Sequence, residues 1–96
     1  MDKRRRSEKE RRRAYELKLL ERAGRIQNLS EQVRFELIPK QDGERAVFYI
    51  ADFTYWENGQ FVVEDVKGYK KGASYANFVI KRKLMLYRYG YKVRET

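Results

Sequence analysis

Apolar and polar residues change period repeatedly along the chain. From Ser7 to Gly24, in SEKERRRAYELKLLERAG, the apolar residues recur at helical spacing, with Ser7 as a natural N-cap and Gly24 as the left-handed residue beyond the last turn. VRFELIP alternates as a strand, and Pro39 with KQDG turns the chain. RAVFYIADFTYW and QFVVEDVK alternate again on either side of Asn58-Gly59. GYKKGAS then breaks the pattern with glycine and lysine, Ser74 is a natural N-cap, and YANFVIKRKLMLYRY returns to helical spacing as far as Gly90. YKVRE closes as a short strand. The order is helix, three strands, helix, strand (α-β-β-β-α-β), which places the chain in the α/β (α+β) class.

Asn-Gly is the favoured central pair of a two-residue type I′ turn, so Glu57 pairs with Gln60. That register sets Asp52 directly across from Asp65, and like charges opposed on neighbouring strands repel. By alternation, Phe48, Ile50, Thr54 and Trp56 share one side with Phe61 and Val63, while Val47, Tyr49, Ala51, Phe53 and Tyr55 share the other with Val62 and Val66. A hairpin apolar on both faces wants cover on both, as in a sheet flanked by helices. The aspartate pair is therefore expected to be at least partly buried. Lys67 has the parity of Asp65, so its ammonium converges on the same place.

The chain has 96 residues, which suits one small domain, 1–96, with residues 1–6 as a basic arm. A formal charge of +9 points to a polyanionic partner, nucleic acid first. The absence of cysteine and histidine excludes disulfides, thiol nucleophiles, soft or imidazole zinc sites and histidine acid–base chemistry. A metal here must be hard and held by oxygen. No apolar run is long enough to cross a membrane, and the basic start lacks the apolar segment of a secretory signal, so a cytoplasmic location is expected.

Two readings of the opposed aspartates follow. Either Lys67 neutralises one carboxylate while the other is solvated at a sheet edge, or the pair shares a divalent cation such as Mg²⁺ or Mn²⁺, which favours oxygen ligands and commonly uses one or two carboxylates together with substrate phosphate. A lysine beside such a site can orient an attacking water or stabilise charge on phosphorus, the division of labour that phosphodiester hydrolysis needs.

An acidic residue on one strand followed by Asp65-Val66-Lys67 on the next, within this order of elements, resembles the PD-(D/E)XK nuclease superfamily. More closely, SEKE…ELKLLERAGRI.NL..QVRFEL…YIADF…VVEDVKG…KRKL resembles a group of small phage and prophage proteins assigned to that superfamily, from about Ser7 to Tyr91. The resemblance implies a restriction-endonuclease-like core with a mixed sheet flanked by helices. It implies Asp52 and Asp65 as metal ligands and Lys67 as the catalytic lysine. Glu64 replaces Asp65 if a bulge shifts the strand by one residue.

The superfamily often adds a glutamate from the first helix. Glu10 matches that place, and Ser7-x-x-Glu10 is equally a capping box. Glu16 is the rival, because its angular position falls inside the apolar stripe of the same helix. Gln32 matches a glutamine seen in relatives and can orient a water or ligand, or be a plain strand-edge residue.

The basic segments are either solvated surface or a phosphate-binding groove. On the second reading Arg4, Arg5 and Arg6 of the arm, Lys70 and Lys71 of the loop, and Lys81 and Lys83 of the second helix line it, with Tyr69 and Tyr75 placed to stack on bases or to pack under a strand end. The expectation is a divalent-metal-dependent endonuclease acting on DNA, with branched or single-stranded regions as specific candidates. By analogy with resolvases, which cut two strands, a homodimer is expected. The alternative is a basic nucleic-acid-binding module without catalysis.

Overall fold

The computed structural model describes residues 6–67 and 70–96. The element order is α1 (Glu8–Arg22), β1 (Gln27–Ile38), β2 (Val47–Glu57), β3 (Gln60–Asp65), α2 (Gly72–Tyr89) and β4 (Arg94–Glu95). The strands form one mixed sheet in the order β1-β2-β3-β4, antiparallel except for the parallel β3–β4 pair.

Ser7 caps α1, its Oγ accepting from the Glu10 amide at 3.1 Å, and Gly24 holds φ 79 just beyond the helix. The buried positions of α1 are Glu10, Ala14 and Leu17, one strip at helical spacing. Glu16 was expected inside the apolar stripe. It stands outside that strip instead, with its side chain 60% exposed and 3.1 Å from Arg13.

Asn58 and Gly59 hold φ 52 and 76, as a type I′ turn demands, and glycine takes the second position at no steric cost. The pairing runs from Glu57↔Gln60 to Phe53↔Glu64. One step further the ladder gives way, and Asp52 Oδ2 accepts from the Val66 amide at 2.9 Å.

β1 starts earlier than the alternation predicts. Gln27 to Gln32 carries little hydrophobic signal, yet it joins the sheet with Asn28 at φ 56 and Gln32 at φ 55, conformations that bend an edge strand locally. α2 likewise starts before Ser74: Lys71 occupies the N-cap without a side-chain bond, and Gly72 at φ 84 lets the chain turn into the helix. Ser74 is freed from capping. The final strand is shorter than YKVRE suggests, because Val93 is buried in the core and Tyr91 packs against it, leaving only two residues to pair.

The core is divided by the sheet. One cluster sets Tyr49, Ala51 and Val63 against Phe78 and Met85 of α2; the other sets Phe53, Tyr55 and Val62 against Ala14 and Leu17 of α1. Simple alternation had placed Tyr49, Ala51, Phe53 and Tyr55 on a common face. β2 instead changes faces at Asp52. The β1–β2 pairing steps from Glu31↔Phe53 to Val33↔Ala51, passing over Asp52 and the left-handed Gln32. An L-residue in that conformation costs on the order of 1 kcal/mol, so the surrounding contacts must hold it there.

Candidate functional site

Asp52, Asp65 and Lys67 meet in a cleft of about 400 Å³ between the sheet and α2, whose walls include Tyr49, Asn77 and Lys81. The hairpin brings the two aspartates together and the strand carries Lys67 past them. Asp52 and Asp65 are 3% and 4% exposed. Lys67 Nζ stands 2.8 Å from Asp65 Oδ2 and 3.8 Å from the centre of the Phe78 ring. The backbone on either side of Val66 is fixed by Thr96, which accepts from the Lys67 amide and donates to the Asp65 carbonyl, each at 3.0 Å.

The electrostatics follow from burial and from like charge. Burial, then the adjoining Asp52 carboxyl, pushes the Asp65 pKa up to about 7, against the opposing pull of the Lys67 ammonium. The Tyr49 hydroxyl is buried with no hydrogen-bond partner among the described residues. Burial first and the Asp65 charge second push that phenol well above its usual range. Asp65 is near enough to act on it, but not in the geometry that satisfies it.

Glu10 enters the site from α1. Its carboxylate, 4% exposed, accepts from Gln32 Nε2 at 3.1 Å and pairs with Arg6 Nε at 3.3 Å. The same Gln32 nitrogen lies 3.5 Å from Asp52 Oδ1, so one amide stands between two buried acids. The left-handed turn of β1 at Gln32 thus coincides with the link between Glu10 and Asp52. Glu10 also belongs to the N-cap through its own amide, so the capping and inward-facing roles coexist.

The remaining acids lie elsewhere. Glu64 is fully buried but points away from the cleft, held by Arg13 at 2.6 and 3.0 Å, by the Tyr55 hydroxyl at 2.5 Å and by Thr96 Oγ1 at 2.9 Å. These donors outweigh burial and hold its pKa below the ordinary value. Glu16 pairs on the surface with the same arginine. Neither adjoins the aspartate pair.

Among the described residues, no group of three or more acidic side chains is close enough to ligate one ion together. Two buried carboxylates in contact nevertheless suit a small hard cation that keeps several of its waters, and its charge would relieve the repulsion that raises the Asp65 pKa.

The basic residues separate into several places. Lys81 lines the cleft, whereas Lys83 lies with Arg82 and Lys92 at a second hollow beyond α2. Arg6 is bound to Glu31 and Glu10, and Lys70 stands 3.9 Å from Glu95. Lys71 is exposed at the N-cap of α2. Tyr75 is half-buried, its hydroxyl donating to Glu95 at 3.0 Å, so it packs rather than offering an open face. Arg4, Arg5 and Tyr69 lie outside the described residues. Ser74 and Asn77 also line the cleft, and sequence reasoning missed them in this role. The available signal was their helical spacing with Lys81 in an otherwise apolar stretch.

Fold and site define a class: a small α+β domain carrying a buried aspartate pair and an adjacent lysine in an open cleft. The chain belongs to the family described as protein of unknown function (DUF1064), whose model matches residues 2–96. No curated protein and no solved structure matches it significantly.

Proposed function

We propose that the protein is a divalent-metal-dependent endonuclease that hydrolyses DNA phosphodiesters. The observation that carries this reading is the convergence of Asp52, Asp65 and Lys67 in one open cleft, with both acids buried and the lysine 2.8 Å from one of them. The net charge of +9 supports a polyanionic substrate. Resemblance to the PD-(D/E)XK nuclease superfamily, and to small phage and prophage proteins of uncharacterised role assigned to it, supports the same reaction, and the resolvases of that superfamily make branched DNA and a homodimer the specific form of the proposal.

Mg²⁺ or Mn²⁺ held by Asp52 and Asp65, with Glu10 nearby, would supply Lewis-acid activation of the phosphodiester and neutralise the aspartate pair. Lys67 faces the same space with a fixed positive charge, suited to stabilising the negative charge that grows on the phosphoryl oxygens or to orienting the attacking water. Its Phe78 contact and its pair with Asp65 hold the ammonium in place before substrate arrives. Gln32 keeps Glu10 and Asp52 in fixed relation.

The test uses labelled linear, nicked, single-stranded and four-way-junction DNA with Mg²⁺, Mn²⁺ or EDTA. Metal-dependent cleavage by the wild type is expected, with Asp52→Ala and Lys67→Ala each slower by about 100-fold or more. DNA binding without cleavage in either metal would leave a non-catalytic binding module and overturn the nuclease reading.

A further inference from the structure

Most cations near the cleft are already engaged. Arg11 pairs with Glu8, Arg13 with Glu64 and Glu16, Arg82 with Glu95 and Lys67 with Asp65. Lys81 on α2, in the cleft, and Lys9 and Arg12 on α1 have no carboxylate within ion-pair distance among the described residues, the Arg12 charge acting on Glu8 only from further off. Lys9 donates only to the Lys67 carbonyl, at 2.8 Å. Lys81 is half-buried, so part of its hydration is lost without an ion pair in return.

Position supplies the second observation. Lys81, Asn77 and Ser74 form one face of α2 along the cleft, so an ammonium, an amide and a hydroxyl present donors to the same space. Lys9 and Arg12 line a neighbouring hollow of about 270 Å³ on the α1 side. Val66 lines both hollows, one on the α2 side and one on the α1 side, so each borders the residue between Asp65 and Lys67. Cations outside any close ion pair therefore border Val66 from both sides, with Glu16 and its partner Arg13 beside those of α1.

We propose that a nucleic-acid strand passes over Val66 from one hollow to the other, its backbone phosphates held by Lys81, Asn77 and Ser74 on one side of the cut and by Lys9 and Arg12 on the other. The inference rests on the nuclease reading in that the cleft is where the strand is cut. It excludes Lys83 and Lys92, which belong to the hollow beyond α2. Because the contacts are to phosphate, the path itself carries no sequence preference.

Fluorescence anisotropy with labelled DNA in EDTA, over a range of salt concentrations, tests the path without requiring cleavage. Each lost phosphate contact lowers the slope of log affinity against log salt by about 1. Lys81→Ala is expected to lower it by about 1, Lys9→Ala with Arg12→Ala by about 2, and Lys83→Ala with Lys92→Ala to leave it unchanged. Unchanged slopes in the first two variants, with a fall in the third, would overturn the path while metal-dependent cleavage by the wild type kept the nuclease reading. Expected slopes without cleavage in Mg²⁺ or Mn²⁺ would keep the path and overturn the nuclease. A wild type that binds no DNA in EDTA would overturn the path, and cleavage in Mg²⁺ or Mn²⁺ would then decide the nuclease reading by itself.

Discussion

Asp65 is the residue whose protonation most directly reports the state of the site. With its pKa pushed up to about 7, the folded protein holds a proton that the unfolded chain, with an ordinary carboxyl near 4, has already released. Stability from this group is present in full below the unfolded pKa and is lost as pH rises through the folded one. In EDTA, the wild-type melting temperature should fall between about pH 5 and pH 8, and Asp65→Asn should flatten that fall. A wild-type profile that rises across the window would overturn the assignment. The meeting of Asp52, Asp65 and Lys67 was legible in the sequence, because a two-residue turn fixes register and register fixes opposition. The Glu10–Gln32–Asp52 link was not, since it depends on a left-handed residue that no local preference of glutamine announces.

Between elements, the Glu64–Arg13 pair joins β3 to α1 on the face away from the cleft. It is bidentate, and its acid is fully buried and also receives the Tyr55 and Thr96 hydroxyls. Removing the arginine leaves a buried carboxylate without its countercharge. Arg13→Ala should lower unfolding stability by about 3 kcal/mol, toward the lower end for a broken buried pair because Arg13 is a quarter exposed. Urea denaturation checks this, and a loss below about 1 kcal/mol would mean that the pair is worth no more than a surface one. Hydrophobic periodicity gave the existence and order of both helices and the hairpin. It misplaced the starts of β1 and α2, where a polar edge segment joins the sheet through ladder bonds and a glycine supplies the turn into the helix. Tertiary pairing overrode the local pattern at both places.

For the molecule as a whole, Lys67 sets one positive charge against two adjoining buried carboxylates, so a divalent cation that binds only the folded state should stabilise it. On the proposed function, Mg²⁺ should raise the wild-type melting temperature in a concentration-dependent way, and Asp52→Ala should remove the increment. Differential scanning fluorimetry with Mg²⁺ titrated against EDTA makes the comparison; equal shifts in both proteins would place the ion elsewhere. The helices lie on opposite faces of the sheet, yet the site draws on both: Asn77 and Lys81 from α2, Glu10 from α1. Hydropathy could foresee that both faces would be covered. It could not foresee that β2 would exchange faces midway.

That exchange gives the fold a seam. Tyr49 with Ala51 and Phe53 with Tyr55 serve separately packed interiors, and Asp52 is the residue at which the two are joined. Substitutions that repack one interior need no compensating change in the other, so the two halves are free to drift independently over generations. Their common constraint is the seam itself. Inserting or deleting one residue beside Asp52 would send every side chain beyond it to the wrong interior. Asp52 and Gln32 opposite it are thus constrained by the change of face as well as by the site.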